Sequence, residues 1–121
     1  MIPRPKLDFS TILTLWRPEQ ALDLIRQVKS VKGEVKPRHF RTAIPTSSTE
    51  AEKYTAELLR RMCEYAFGDT SFMDIPARKR IWTANSAWLK YNVPIGKGAT
   101  FEELAHIVER YSQHLREDNA Q

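Results

Sequence analysis

The chain has 121 residues, with 19 Lys and Arg against 15 Asp and Glu and a formal net charge of +4 at pH 7. Its 41% hydrophobic and 28% charged residues match an ordinary globular protein and exclude wholesale disorder, collagen-like repeats and low complexity. Only four Gly are present, which disfavours a many-turned β-sandwich. We expect one helical domain over residues 1–121, with flexible ends at 1–6 and 117–121.

Cysteine usage indicates a reducing compartment, and the distribution of apolar residues indicates neither secretion nor a membrane span. Cys63 is the single cysteine, so it cannot form an internal disulfide or a cysteine-based zinc site. The N-terminal residues lack the apolar region of a secretory signal, and no apolar run approaches the roughly 20 residues of a membrane span. We therefore expect a cytoplasmic protein with no membrane partner.

The first two segments in chain order differ in clarity. Residues 7–16 have apolar side chains at helical spacing, but the run is short and rich in β-branched residues, so helix and strand both remain open and a short helix is favoured. The next segment predicts a helix from Pro18 to Gly33. Pro18 suits the first helical position, Glu19 suits the positive helix start, and Gly33 suits the end.

Residues 34–48 are interpreted as an extended basic loop. Pro37 and Pro45 and a Thr-Ser-Ser-Thr run oppose regular structure, while Val35, Phe40 and Ile44 are candidates to pin the segment to the core. At about 15 residues this connection is longer than usual for a compact domain, and such loops commonly carry function.

Three further helices are predicted. Thr49 and Glu52 form a capping box for a helix from about Glu50 to Phe67, and Thr100 and Glu103 form another for a helix from Phe101 to about Arg116. Between them, Asp74 caps a helix whose inward stripe is Ala77, Ile81, Ala84, Trp88 and Tyr91. The expected fold is an all-α bundle of four to five helices with one long basic loop.

Positive charge is concentrated at the front of the chain. Residues 1–41 carry nine Lys and Arg against four acids, whereas residues 99–121 carry two against five. Cations along an extended segment can follow a phosphate backbone, and an aromatic ring among them can stack on a base. The candidate nucleic-acid contacts are Arg26, Lys29, Lys32, Lys36, Arg38 and Arg41, with Phe40 as the stacking ring. The alternative is a solvated loop whose charges only aid solubility.

A second cationic cluster, Arg78, Lys79 and Arg80, lies just inside the helix that follows Asp74. Three cations at a helix start oppose the helix dipole, which favours an anion nearby. Arg60 and Arg61 are candidates to extend this surface. In the alternative interpretation, Arg80 pairs with a carboxylate and the others face solvent.

The remaining motifs are weak. Gly96, Lys97 and Gly98 precede the last helix and resemble an anion-binding turn, but a plain flexible turn explains them equally well. His106 and His114 share a helix face with Arg110, which disfavours a metal ion there. We expect no catalytic residues, no metal and no cofactor, and a helix-turn-helix is disfavoured because the connection is too long.

The favoured function is a non-enzymatic, basic helical accessory subunit that contacts nucleic-acid backbone, DNA or RNA, within a larger nucleoprotein assembly. The alternative is a protein-binding adaptor or inhibitor whose basic loop docks on an acidic protein surface. Aromatic side chains in excess of what four short helices can bury would mark a protein interface. The candidates for that excess are Trp16, Phe67, Phe72, Trp82 and Trp88.

Overall fold

The computed structural model describes residues 15–42, 49–71 and 88–119, and of residues 41, 42, 118 and 119 it describes only the backbone. Within these ranges every regular element is helical and no strand occurs, which confirms the predicted all-α fold. A further helical turn covers residues 88–92. The four helices are α1 (Pro18–Lys32), α2 (Pro37–Thr42), α3 (Glu50–Ala66) and α4 (Phe101–Asn119).

Helix α1 has the bounds that the sequence predicts. Pro18 occupies the first turn, and Ala21, Leu24, Ile25 and Val28 face the core. Gly33 ends the helix in the left-handed region with φ 71°, where its N–H donates to the carbonyl oxygen of Lys29 at 3.2 Å. A residue with a Cβ is disfavoured at this angle, which is why glycine suits the position.

Both predicted capping boxes are present. The Thr49 hydroxyl accepts a hydrogen bond from the Glu52 N–H at 3.2 Å, and the Thr100 hydroxyl accepts one from the Glu103 N–H at 3.1 Å. In each case the glutamate side chain accepts from the backbone N–H of the threonine. Helix α4 continues to Asn119, three residues beyond the predicted end at Arg116.

The predicted basic loop is wrong for part of its length. Residues 37–42 form α2, which packs mainly on α3 and buries Phe40 completely. Pro37 is the first residue of this helix, a position where its missing N–H costs nothing. Residues 43–48 lie outside the described residues, as do residues 7–14 and most of the helix predicted after Asp74.

The centre of the core is an aromatic cluster around Tyr111. Trp16 and Trp88 both contact the Tyr111 ring edge-on, each with ring centroids 5.2 Å apart. The Trp16 indole N–H donates to the Ser112 hydroxyl at 2.8 Å, so its polar atom is satisfied although the side chain is buried. Since α4 carries Tyr111 and Ser112, this cluster joins it to the residues flanking α1 and to the 88–92 turn.

One inward position in the predicted stripe is wrong. Tyr91 is 85% exposed, whereas Leu89 and Val93 are buried. The helical turn ends here, as the Val93 N–H donates to the Leu89 carbonyl oxygen at 2.9 Å and the Asn92 amide donates to the Trp88 carbonyl oxygen at 2.8 Å. The inward face therefore runs through Leu89 to Val93 and leaves Tyr91 in solvent.

None of the helices in the described part of the chain is long and apolar enough to cross a lipid bilayer.

Candidate functional site

The structure places the front cations on consecutive elements. Arg26, Lys29 and Lys32 lie on α1, Lys36 lies immediately before α2, and Arg38 lies within α2. Arg41 belongs to the same helix, but its side chain lies outside the description, as do residues 78–80, which form the second predicted cluster.

Two of these cations are paired with carboxylates. Arg26 donates to Asp23 at 2.5 Å, and Lys29 donates to Glu102 at 2.9 Å. All four side chains are more than half exposed, so these pairs are weak and screened by salt. The hydrogen bond from Lys29, together with its positive charge, lowers the pKa of Glu102. This part of the predicted site is therefore partly neutralised.

Three cations remain uncompensated and form what we call the cationic edge: Lys32, Lys36 and Arg38. None of them makes an ion pair with any residue in ranges 15–42, 49–71 or 88–119. Lys32 and Arg38 are exposed and Lys36 is half-buried. All three lie within seven consecutive residues, from the last residue of α1 to the second residue of α2.

A groove of about 420 Å³ lies beside the cationic edge. Its size is within the range of small-molecule sites, roughly 300–1,000 Å³. The ends of α1 and α3 meet the start of α4 here, so three separate parts of the chain build it. The lining residues are Lys29, Gly33, Glu34, Val35, Lys36, Phe67, Ala99, Thr100, Phe101 and Glu102.

Phe67 provides an aromatic ring in this groove. It is the C-cap of α3 and remains 41% exposed, with the Lys36 ammonium 5.6 Å from its ring centroid. The sequence indicates Phe67 only as one of the surplus aromatics and not as a groove residue. The available signal is its place beside the helix-ending Gly68, beyond the last buried residues of α3, Tyr65 and Ala66.

The stacking role predicted for Phe40 is corrected by its burial. Its ring is fully enclosed between α2 and its neighbours, with 0% exposure, so it presents no face to a ligand. Phe40 lies on the inward face of α2, which confirms the other expectation for this residue and for Val35, that they pin the segment to the core. Its role in this fold is to anchor the helix that carries Arg38.

Arg60 and Arg61 are also unavailable as a binding surface. Both pair with Glu57 and Glu64 along α3, and Arg60 donates to Glu64 at 2.5 Å. Partial burial lowers the pKa of Arg60, but the hydrogen bond from Arg60 to Glu57 and the negative charges of Glu57 and Glu64 outweigh this and raise it. The network contains two positive and two negative groups and therefore has no excess charge.

The glycine turn before α4 serves the fold. Gly96 and Gly98 adopt φ 82° and 72°, and the Gly98 N–H donates to the Ala66 carbonyl oxygen at 2.5 Å. A Cβ at Gly98 would lie 3.3 Å from the Phe67 ring. The turn thus closes on the end of α3, and the Gly98 amide is already used within the protein.

Other reactive groups in the described ranges are dispersed or buried. No three His, Cys, Asp or Glu side chains come together there in a way that could hold a metal ion. Cys63 is fully buried, and burial raises its pKa to about 12. His114 lies against the Trp88 ring, with centroids 6.0 Å apart, while His106 is exposed.

No family model matches this chain, and no curated protein or solved structure matches it either.

Proposed function

We propose that this chain is a non-enzymatic domain that binds nucleic-acid backbone through the cationic edge, as an accessory subunit of a nucleoprotein assembly. The observation that carries the proposal is a set of three cations, Lys32, Lys36 and Arg38, which lie within seven consecutive residues and make no ion pair in the part of the chain that the structure describes. Cations free of carboxylate partners can neutralise phosphates, and the release of condensed counterions then favours binding.

The geometry of the connection supports contact with a strand of phosphates. Gly33 turns the chain at the end of α1, and α2 begins only four residues later, so the three cations are held on ordered backbone. The buried ring of Phe40 fixes α2, and with it Arg38, against the core. Positions fixed in this way lose less conformational entropy on binding than side chains on an extended loop.

The proposal predicts a salt-dependent affinity for DNA or RNA of arbitrary sequence. For the Lys32→Glu, Arg38→Glu double variant we expect much weaker binding, with the slope of log affinity against log salt reduced by roughly two units, about one per phosphate contact. Fluorescence anisotropy with a labelled oligonucleotide between about 50 and 200 mM salt measures both quantities.

The matched control is the Lys53→Glu, Arg116→Glu double variant, which changes the net charge by the same amount. Both residues are exposed, and each lies roughly 20 Å along its helix from the groove, at about 1.5 Å per residue. We expect this control to keep most of the affinity and the slope. Equal losses in the two variants would show that only the overall charge matters, and the cationic edge would then have no special role.

A protein-binding adaptor is the second candidate, and a separate observation favours it. Tyr91 and Ile95 are 85% and 50% exposed, four residues apart on the 88–92 turn and the chain that follows it. Large exposed side chains of this kind, close together in the chain, are candidates for a protein interface. Under this alternative, a partner protein stays bound after nuclease treatment and is released by the Tyr91→Ser, Ile95→Ser double variant.

A further inference from the structure

Phe67 and Lys36 lie together in the groove, and their arrangement indicates which form of nucleic acid fits. We infer that the groove holds an unpaired base stacked on the Phe67 ring, so that the domain prefers single strands over duplexes. This inference rests on the proposed function, since the cationic edge supplies the phosphate contacts beside the ring.

The Phe67 ring is held as a fixed platform. Its backbone N–H donates to the carbonyl oxygens of Cys63 and Glu64, both at 3.1 Å, which fixes the residue at the end of α3. The ring itself lies against Gly98, where the absent Cβ leaves room for it. A ring that is already ordered loses little entropy when a base stacks on it.

Two lysine ammonium groups lie in the groove with this platform. The Lys36 ammonium lies 5.6 Å from the Phe67 ring centroid, and the Lys29 ammonium lies in the same groove, 6.0 Å from the Phe101 ring centroid. Lys36 can turn from the ring toward a phosphate on one side of a bound base, and Lys29 can exchange its exposed ion pair with Glu102 for a phosphate on the other side. An aromatic ring flanked by cations is the combination used by proteins that bind single strands.

The stacking of bases within a duplex explains why a duplex fits less well. In a duplex the base faces are stacked on one another, so only phosphates and base edges are presented to a protein. A duplex therefore reaches the exposed Lys32 and Arg38 but not the face of Phe67. An unpaired base, in contrast, can enter the groove and contact its apolar residues Val35 and Ala99 as well as the ring.

The experiment compares single-stranded and duplex DNA of the same sequence. The wild type should bind the single strand more tightly by roughly 5- to 100-fold, the range expected when one base stacks on an aromatic ring. Phe67→Leu keeps an apolar side chain against Gly98 but removes the π-face. We expect it to lose this preference while its duplex affinity stays unchanged.

Two conservative variants keep the test informative if Phe67→Leu folds poorly. Phe67→Tyr should retain the preference, and in Phe67→Trp, addition of single-stranded DNA should quench part of the indole fluorescence while duplex should not. Thermal unfolding of each variant without ligand checks the fold.

The outcomes separate the two proposals. Equal affinity for the two forms, or a preference that survives Phe67→Leu, would overturn the stacked base and leave backbone binding in place. Absence of any salt-dependent binding to either form would overturn both proposals. Loss of a bound protein, rather than of DNA, on substitution of Phe67 would assign the ring to a protein interface and overturn the inference.

Discussion

Cys63 shows how burial controls the chemistry of a single side chain. The thiol is completely enclosed on the inward face of α3. Desolvation, with a smaller contribution from the charge of Glu64, raises its pKa from the ordinary value near 9 to about 12. The folded protein therefore keeps this group as a neutral thiol at pH values where the unfolded chain would ionise it.

This shift predicts a loss of stability at alkaline pH. A group whose pKa is raised on folding contributes its full stability below the unfolded pKa, and that contribution is lost as the pH rises from about 9 towards 12. Relative to Cys63→Ala, the wild type should lose on the order of 1 kcal/mol per pH unit in this window. Urea unfolding at several pH values measures the difference in slope. Parallel slopes for the two proteins would contradict it.

The two phenylalanines of the site show what a sequence can reveal about a residue. The sequence allows Phe40 to be either a stacking ring or a pin to the core, and it is buried, whereas Phe67 lies in an apolar helix end and is exposed. The sequence shows which residue types lie next to a position, but not whether that position is buried. Burial depends on which face of an element meets the core, and for α2 that face is set by contacts with α3, which are distant in the chain.

Elements with local start and stop signals were the predictable ones. Helices α3 and α4 begin at capping boxes, and α1 ends at Gly33, so each bound follows from residues within one turn of it. Helix α2 was missed because a six-residue helix is not stable by its own hydrogen bonds. It forms because burial of Phe40 against α3 stabilises it: the sequence names Phe40 as a residue that pins the segment to the core, but no local pattern indicates that the pinned segment is helical.

The cap of α3 gives a prediction at the scale of the element. Thr49→Ala removes the hydroxyl that accepts from the Glu52 N–H, leaving a helix-start donor to water. We expect a loss of about 1 kcal/mol in the free energy of unfolding, the usual cost of removing a threonine cap. Thr49→Ser keeps the hydroxyl and should retain most of the stability. Chemical denaturation of the three proteins checks this, and equal losses in both variants would refute the role of the hydrogen bond.

At the scale of the whole molecule, helix packing brings together charged residues that lie far apart in the sequence. The basic front and the acidic end are far apart in the chain, but α1 packs against α4 and brings Lys29 to Glu102. Part of the front charge is thereby neutralised, which no count along the chain could reveal. The cations without an ion pair in the described ranges, Lys32, Lys36 and Arg38, lie from the end of α1 to the start of α2, among the residues that the sequence predicts as nucleic-acid contacts.

The carboxylates of the groove lead to the last prediction. Glu34 and Glu102 both line it, and each repels a bound phosphate while Glu102 also holds Lys29. The Glu34→Gln, Glu102→Gln double variant should therefore bind single-stranded DNA several-fold more tightly, with the largest gain at low salt where charges are least screened. Anisotropy titrations at low and moderate salt measure this gain.

Two exposed carboxylates further along α4, Glu109 and Glu117, provide the control, because their substitution by Gln changes the net charge equally. They lie roughly 10 and 22 Å beyond Glu102 along the helix axis. If the phosphates bind in the groove, the control gains much less than the Glu34 and Glu102 variant in the titration at about 0.1 M salt, where the Debye length is about 10 Å and more distant charges are largely screened. Equal gains would place the bound strand elsewhere on the molecule, because the effect would then depend on total charge and not on position.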